Sequence, residues 1–215
     1  MIRRVVIALA LLALAGAPAR ADDLSREQAR AALADPGNTE ARQRGARGLA
    51  ETGTMADVPL LVQALRDRDP LVRAFAERAM WEVWSRSGDP EVDELLATGI
   101  VQMSERQGDA AVRTFTRVIE RRPDFAEGWN KRATIYYLMG EYAKSLADCD
   151  EVMKRNPYHF GALSGYGMIY LQLDDAARAL EYFQRALAVN PNLQQVEETA
   201  EALKALLIQR RKGTI

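Results

Sequence analysis

Few residues of this chain have the types and spacing that catalysis requires. The 215-residue sequence contains one histidine, His159, and one cysteine, Cys149. A histidine-based zinc site needs several such ligands, and a Ser-His-Asp triad needs its histidine beside an activated serine. The sequence contains no H-E-x-x-H, paired C-x-x-C, G-x-S-x-G or phosphate-loop motif. These observations argue against most hydrolase and zinc chemistry and predict that the protein is not an enzyme and uses no metal or cofactor.

Three places retain the residue types of a reactive site, but each has a simpler structural interpretation. Cys149 lies between Asp148 and Asp150, which a helix would place on different faces, so no carboxylate pair is expected there. Cys149 is predicted to be buried as a small apolar residue. His159 is predicted to cap a helix or to bond to the backbone, and the alternative is acid–base chemistry with a nearby carboxylate. The glycine-rich segment 161–167 follows no predicted strand, so phosphate binding is not expected.

The distribution of charge argues against nucleic acid as a partner. Basic and acidic residues number 29 and 30, but the segment 1–21 carries only Arg3, Arg4 and Arg20 among charged residues. The segment 22–215 therefore holds 26 basic and 30 acidic side chains, a net charge of −4. Phosphate backbones bind to basic protein surfaces. We therefore predict no nucleic-acid partner.

The N-terminus has the pattern of a secretory signal peptide of the Sec type. Arg3 and Arg4 make a short basic start, the segment 5–15 is an uninterrupted apolar run, and Ala19-Arg20-Ala21 supplies small residues for signal peptidase. A membrane anchor is the alternative, but a spanning helix needs about 20 apolar residues. We predict a signal peptide over 1–21, cleavage after Ala21, a periplasmic or secreted location, and no membrane span in the mature chain.

The rest of the sequence has the apolar spacing of helices, organised as a repeat. Pro123, Pro157 and Pro191 are evenly spaced, and each follows the end of a predicted helix. Other residues recur with the same period, namely Leu95, Trp129 and Leu163, then Gly99, Ala133 and Gly167, and finally Phe115, Cys149 and Phe183. This period, with two helices per unit, resembles that of the tetratricopeptide repeat family, whose units are about 34 residues long. The resemblance implies three stacked repeats over 90–192.

Further helices are predicted on both sides of these repeats. The run Asp67-Arg68-Asp69-Pro70-Leu71-Val72-Arg73, followed by spaced alanines, resembles a HEAT repeat within the segment 22–89. Its helices are predicted at 55–66 and 70–86, after an earlier helix at 40–51. The segment 193–215 is predicted to form a C-terminal capping helix and tail.

These segments predict an all-α fold, a right-handed α-solenoid of antiparallel helix pairs. HEAT-like pairs would come first, tetratricopeptide pairs second and the capping helix last. Trp81, Val83 and Trp84 are expected to dock the helix at 70–86 onto the first tetratricopeptide pair. The joint, Ser87-Gly88-Asp89-Pro90, is short, so one continuous solenoid is expected.

The resemblance implies that the first helices of the pairs line a concave groove that binds peptides. The groove residues predicted from the register are Ile100, Met103, Asn130, Lys131, Thr134, Tyr137, Gly161, Ser164, Gly165 and Met168, and Glu127 falls on the same face. Asn130 and Lys131 suit a peptide backbone or a carboxylate, and an ordinary solvated helix face is the alternative. Some family members hold a C-terminal carboxylate with several such residues. Here only these two match, so an extended or helical apolar segment is the predicted ligand.

The same register leaves Arg132 where a large apolar residue is usual. Its guanidinium is predicted to reach a carboxylate such as Glu120 or Asp124.

The resulting functional prediction is an exported protein–protein interaction module. It would bind a peptide or partner protein in the groove and act as an adaptor or assembly factor in the cell envelope. The amino-acid sequences of the segments 126–134 and 156–165 resemble those of small bacterial and plastid tetratricopeptide proteins of unassigned activity. A self-associating structural scaffold is the main alternative, motivated by Trp81, Trp84 and the amphipathic C-terminal helix, and the oligomeric state stays open.

Overall fold

The computed structural model describes residues 24–213, and the predicted signal peptide over 1–21 lies outside them. The described residues form eleven α-helices and one 3₁₀ turn, with no strand among them. The helices before the predicted repeats are α1 (Arg26–Leu33), α2 (Thr39–Thr52), α3 (Val58–Ala64) and α4 (Pro70–Ser85). The repeat helices are α5 (Pro90–Ser104), α6 (Gly108–Arg121), α7 (Ala126–Leu138), α8 (Tyr142–Arg155), α9 (Phe160–Gln172) and α10 (Ala176–Val189). The last helix is α11 (Gln194–Gly213).

Three helix pairs, α5–α6, α7–α8 and α9–α10, confirm the all-α solenoid and the repeat register. The turn inside each pair holds one residue with positive φ, at Arg106, Gly140 and Asp174. These positions recur with the period of the repeat, and only the middle one is the glycine that a left-handed conformation favours. The chain therefore makes the same turn three times, twice with a residue for which that conformation is strained.

Close helix crossing inside the pairs explains the periodic small residues. A side chain on Gly99 would overlap the ring of Phe115, and one on Gly167 would overlap the ring of Phe183. In the second pair, the equivalent residues are Ala133 and Cys149, which share one buried cluster. The smaller Cys149 leaves room for the extra methyl group of Ala133, so the pair keeps its close packing with both residues changed.

The N-terminal helices agree with most of the sequence prediction. The helix expected at 55–66 is a 3₁₀ turn, Met55–Asp57, continuing into α3, while α2 and α4 lie where helices were expected. Helix α1 was not predicted. It is held by Asp57, whose buried carboxylate accepts hydrogen bonds from Arg26, at 2.7 Å, and from Arg30. Burial acts to raise the pKa of Asp57, but these bonds and the Thr54 N–H lower it to about 2.

The loops between repeats lie against one N-terminal segment, which we call the brace (residues 65–87). Arg122 donates to the Ser87 carbonyl at 2.8 Å, before the second repeat. Asn190, after the third repeat, donates to Glu77 at 3.1 Å. Asn192 donates to the Leu65 carbonyl at 2.8 Å. The brace therefore runs along the edge of the repeat array.

The expected docking of Trp81 and Trp84 onto the first repeat pair was wrong. Their rings contact the start of the third repeat. The ring of Trp84 stacks on that of His159 with 4.5 Å between the ring centroids, and the ring of Trp81 meets that of Phe160 edge-on with 5.2 Å between the centroids. Phe160 belongs to the same buried cluster as the apolar residues of α1 to α4. Sequence adjacency predicted the first repeat, but the brace turns back along the array and reaches the third.

Within the described part of the chain, membrane-spanning and metal-binding features are both lacking. None of the helices over 24–213 combines the length and the apolar character that crossing a membrane requires. In the same range, no group of three or more His, Cys, Asp or Glu side chains is placed to hold a metal ion.

Candidate functional site

The second and third repeats enclose a small cleft, which we call the α7–α9 cleft. Its volume is about 110 Å³. The lining residues come from α7, α8 and α9, and are Asn130, Ala133, Thr134, Tyr137, Ser145, Cys149, Gly161, Ala162, Gly165, Met168 and Ile169. Six of the ten predicted groove residues are among them: Asn130, Thr134, Tyr137, Gly161, Gly165 and Met168. The register therefore brings most of the predicted residues of these two repeats to one place.

The lining of the α7–α9 cleft contains no charged side chain. Two of its hydroxyl groups already donate to backbone carbonyls within their helix pair. Thr134 donates to the Asn130 carbonyl at 2.9 Å, and Ser145 donates to the Ala133 carbonyl at 2.7 Å. The amide of Asn130 and the phenol of Tyr137 are the larger polar groups left at the cleft.

The two glycines of the cleft differ in what surrounds them. A Cβ atom on Gly161 would lie 2.6 Å from Cη2 of Trp81, so the indole ring packs directly against this glycine. A Cβ atom on Gly165 would meet only Sγ of Cys149, at 3.9 Å. Gly161 therefore admits the brace, whereas Gly165 leaves open space above α9.

A buried carboxylate, Glu127, holds the polar residues beside the cleft. Its side chain is fully buried, and its Oε1 lies 2.9 Å from the ammonium of Lys131. Its Oε2 accepts hydrogen bonds from Asn130, at 3.1 Å, and from Nε2 of His159, at 3.0 Å. The other ring nitrogen of His159 accepts from the Ala162 N–H at 3.1 Å, which places the imidazole proton on Nε2. One carboxylate therefore orients three side chains from two repeats.

Opposing effects set the pKa of Glu127. Burial acts to raise it, but the hydrogen bond from His159 and the positive charge of Lys131 outweigh burial and hold the pKa below the usual value of 4.5. The carboxylate therefore stays ionised at neutral pH and requires its partners.

Four predicted groove residues are not brought to the cleft. The Lys131 ammonium is paired with Glu127, and the Ser164 hydroxyl donates to the Phe160 carbonyl at 2.8 Å. Ile100 is 38% exposed on α5. Met103 lines a separate, wider cleft of about 510 Å³, together with Ser104, Arg106, Gly108, Ile135, Leu138 and Met139. The first repeat therefore contributes to a different surface from the second and third.

His159 forms the N-cap of α9, as one of the two sequence interpretations predicted. It also has the carboxylate neighbour that the alternative required, in Glu127, but both side chains are fully buried. Trp84 covers the imidazole by stacking. A substrate would have no access to this pair, so its geometry favours a structural role.

The interpretation of Cys149 as a buried apolar residue agrees with the structure, which leaves the residue almost without contact to solvent. Burial, with the nearby charges of Asp148 and Asp150, raises the pKa of the Cys149 thiol to about 12. A thiol protonated at neutral pH is a poor nucleophile.

Arg132 reaches a carboxylate, as predicted, but the two carboxylates named as examples were wrong. Its guanidinium donates two hydrogen bonds of 2.8 Å to the carboxylate of Asp148, rather than reaching Glu120 or Asp124. Asp148 lies on α8, in the same helix pair as Arg132, so the two replace an apolar contact between α7 and α8. The third nitrogen of the guanidinium donates to Thr116 at 3.0 Å.

Glu127 and Trp81 are the site residues whose roles sequence reasoning missed. Glu127 was placed on the open groove by register, although its spacing from Asn130 and Lys131 is that of neighbours on one helix face. Trp81 was predicted to dock onto the first repeat pair, and no sequence signal indicated Gly161 as its contact, because the brace returns to α9 only in the folded chain.

Comparisons with known proteins agree with the architecture. The tetratricopeptide repeat family model matches residues 124–192. A TPR repeat-containing protein of Rhizobium etli is 31% identical over 144 residues, which cover 67% of this chain and 71% of that relative.

Two solved structures share the fold at low sequence identity. The Sgt2 TPR domain from Aspergillus fumigatus has a TM-score of 0.55 at 20% identity, over 59% of this chain and 85% of that domain. The first TPR of Spaghetti (RPAP3), bound to the HSP90 peptide SRMEEVD, has a TM-score of 0.52 at 20% identity, over 54% and 93%. With the repeat register, the helix pairs and the Rhizobium relative in agreement, the chain belongs to the tetratricopeptide repeat family.

Proposed function

We propose that this protein binds a peptide segment of a partner protein in the α7–α9 cleft. The observation that carries the proposal is Gly165, which leaves open space above α9 in the cleft that Asn130 and Tyr137 also line. Related domains support a protein-interaction role, since the RPAP3 domain of the same fold holds a peptide. Tetratricopeptide modules are in general binding modules rather than enzymes.

We further propose that the protein is exported and works as an adaptor or assembly factor in the cell envelope. The pattern over 1–21 supports export, and the charge of the remaining chain suits a protein partner rather than nucleic acid. Fractionation of cells producing the full chain, followed by N-terminal sequencing, tests this. A mature protein beginning at Asp22 outside the cytoplasm is expected, and an unprocessed cytoplasmic chain would contradict export.

The binding test uses Gly165→Leu, which fills the open space with a side chain. Helical leucine is more favourable than glycine by roughly 0.5–1 kcal/mol, so the variant should fold. Pull-down from envelope extract with the segment 22–215 as bait is expected to lose a defined partner in this variant. Ala202→Leu, an exposed position on α11 outside the cleft, adds the same side chain as a matched control and should retain the partner.

Lys131 is unsuitable for that test despite its place in the predicted groove. A glutamate there would remove the ammonium that lies 2.9 Å from the buried carboxylate of Glu127 and add a second negative charge nearby, which would disturb the fold. Tyr137→Ala at the open end of the cleft is the better second variant. If Gly165→Leu and Tyr137→Ala both retain the partner with their helical content intact, the cleft is not the binding site.

Self-association is a second candidate function, and only one of the two features that motivated it, the helix α11, still supports it. Trp81 and Trp84 pack within the chain, which removes them from that argument. Leu206 and Ile208 on α11 are 38% and 47% exposed and keep the helix as a candidate contact. Sedimentation of the wild type and Leu206→Glu over a range of concentrations distinguishes a dimer through α11 from a monomer.

A further inference from the structure

We propose that the α7–α9 cleft selects an internal peptide segment by one aliphatic side chain inserted over Gly165, and rejects segments that present a carboxylate or an aromatic ring there. This inference rests on the proposed function, because it specifies the ligand of the same cleft. Three independent properties of the cleft carry it: volume, charge and the arrangement of hydrogen-bonding groups.

The volume of the cleft matches an aliphatic side chain. It measures about 110 Å³, whereas a dry protein cavity that accepts benzene measures about 150 Å³. An aromatic ring would therefore require the cleft to widen. Movement of α9 at Gly161 is opposed by Trp81, which already fills the space beside that glycine. A leucine, isoleucine, valine or methionine side chain fits without that movement.

The charge of the surroundings disfavours an acidic ligand. None of the eleven lining residues is charged. The two basic residues that follow Asn130 on α7 are already paired, Lys131 with Glu127 and Arg132 with Asp148. A ligand carboxylate would lose its water without gaining a free cation, which is unfavourable in a partly enclosed site. Glu127 thus pairs with the Lys131 ammonium, the cation that a carboxylate ligand would otherwise bind.

The hydrogen-bonding groups suit the backbone of an internal segment. Asn130 donates its Nδ2 to Glu127, which turns its Oδ1 away from that carboxylate as an available acceptor. A ligand N–H can donate to Oδ1 while its side chain enters the cleft. Gly165 allows this close approach because it has no side chain. With Trp81 packed against Gly161, the ligand chain would leave past Tyr137 and Met168, which line the cleft.

The test uses phage display of linear random peptides in which both ends of each peptide are joined to further chain, so that neither terminus is free. The library is selected for binding to the segment 22–215. Peptides that bind the wild type and fail to bind Gly165→Leu define ligands of the cleft. We expect these peptides to share one aliphatic position. Synthetic versions with that residue replaced by alanine, aspartate or phenylalanine should bind about 10–100-fold more weakly by fluorescence anisotropy, since an aliphatic side chain contributes most of the contact.

The outcomes separate this inference from the proposed function. Cleft-dependent peptides whose shared residue is acidic or aromatic, or whose leucine-to-aspartate variants bind equally well, would overturn the aliphatic selection and leave peptide binding intact. A failure to recover any peptide sensitive to Gly165→Leu would overturn both. Circular dichroism and the midpoint of thermal unfolding show beforehand that Gly165→Leu is folded, and Tyr137→Ala provides an independent cleft variant.

Discussion

Glu127 links three side chains whose connection is not apparent in the sequence. It accepts from Asn130 and His159 and pairs with Lys131, while lying fully buried. Register alone assigned Glu127, Asn130 and Lys131 to one open helix face. The carboxylate instead points inward, because His159 at the start of α9 offers it a buried donor. Because Glu127 is buried, the side chains that it holds are fixed within the fold: the Lys131 ammonium, the Asn130 amide nitrogen and the His159 ring.

Replacing Glu127 with glutamine is expected to lower the free energy of unfolding by about 1–3 kcal/mol near pH 7, because Lys131 and His159 lose a charged acceptor. The folded-state pKa of Glu127 lies below 4.5. Its stabilising contribution is therefore present above that pH and is lost as the pH falls through the folded-state value. Urea unfolding of both proteins at about pH 7 and about pH 3 measures this, and the difference between them should shrink in acid.

Glu141→Gln is the matched control for this experiment. Glu141 is an exposed partner of Lys144, at 3.2 Å, and exposed pairs contribute little. The change should alter stability by less than about 0.5 kcal/mol. An effect of Glu127→Gln that is equally large at both pH values would show that packing, rather than ionisation, explains it.

Among the helices, the repeat period was the part of the fold that could be predicted best. Prolines after each second helix and small residues at the crossings carry direct physical information about helix ends and helix distance. They placed α5 to α10 correctly. The pairing of Arg132 with Asp148 could not be read in the same way. It replaces the usual apolar contact in one repeat only, so periodicity indicated no partner for either residue.

Replacing Arg132 with methionine is expected to destabilise the protein by about 3–5 kcal/mol, because Asp148 keeps a buried charge without its partner. The side chain of Asp148 is only 6% exposed. Adding Asp148→Leu to the same protein should recover most of the loss, since two apolar residues can pack between α7 and α8. Chemical denaturation of the wild type, both single variants and the double variant measures the coupling. A double variant as unstable as the sum of the singles would contradict it.

Across the whole molecule, the brace joins parts of the chain that a simple solenoid would keep apart. In a repeat array, each unit contacts its neighbours only, and stability is nearly a sum of local terms. Here Trp84 packs on the third repeat, and Glu77 reaches Asn190 beyond it. Apolar spacing predicted α4, the helix of the brace, but not this placement, because single long-range contacts have no repeating pattern. The contact between Trp81 and Gly161 was unpredictable for the same reason.

Truncating Trp84 to alanine is expected to cost about 3–5 kcal/mol, because a buried ring and its stacking on His159 are lost. Its exposure is 3%. Hydrogen exchange should rise in the loops around His159 and Asn190 as well as in α4. Leu71→Ala, on the same helix but 52% exposed, should stay within about 0.5 kcal/mol of the wild type. Faster exchange confined to α4 would mean that the brace does not stabilise the repeats.

The long-range contacts of the brace also imply a delay during protein synthesis, because their partners are made much later than the brace itself. Arg66 donates to the carbonyls of Ala188 and Val189, which are 122 and 123 residues further along the chain. A ribosome adds about 5–20 residues per second, so these acceptors emerge roughly 6–25 s after their donor. His159 and Phe160, which cover Trp84 and Trp81, follow them by 75 and 79 residues and therefore emerge roughly 4–16 s after them. The earliest part of the chain to appear is thus among the last to complete its contacts.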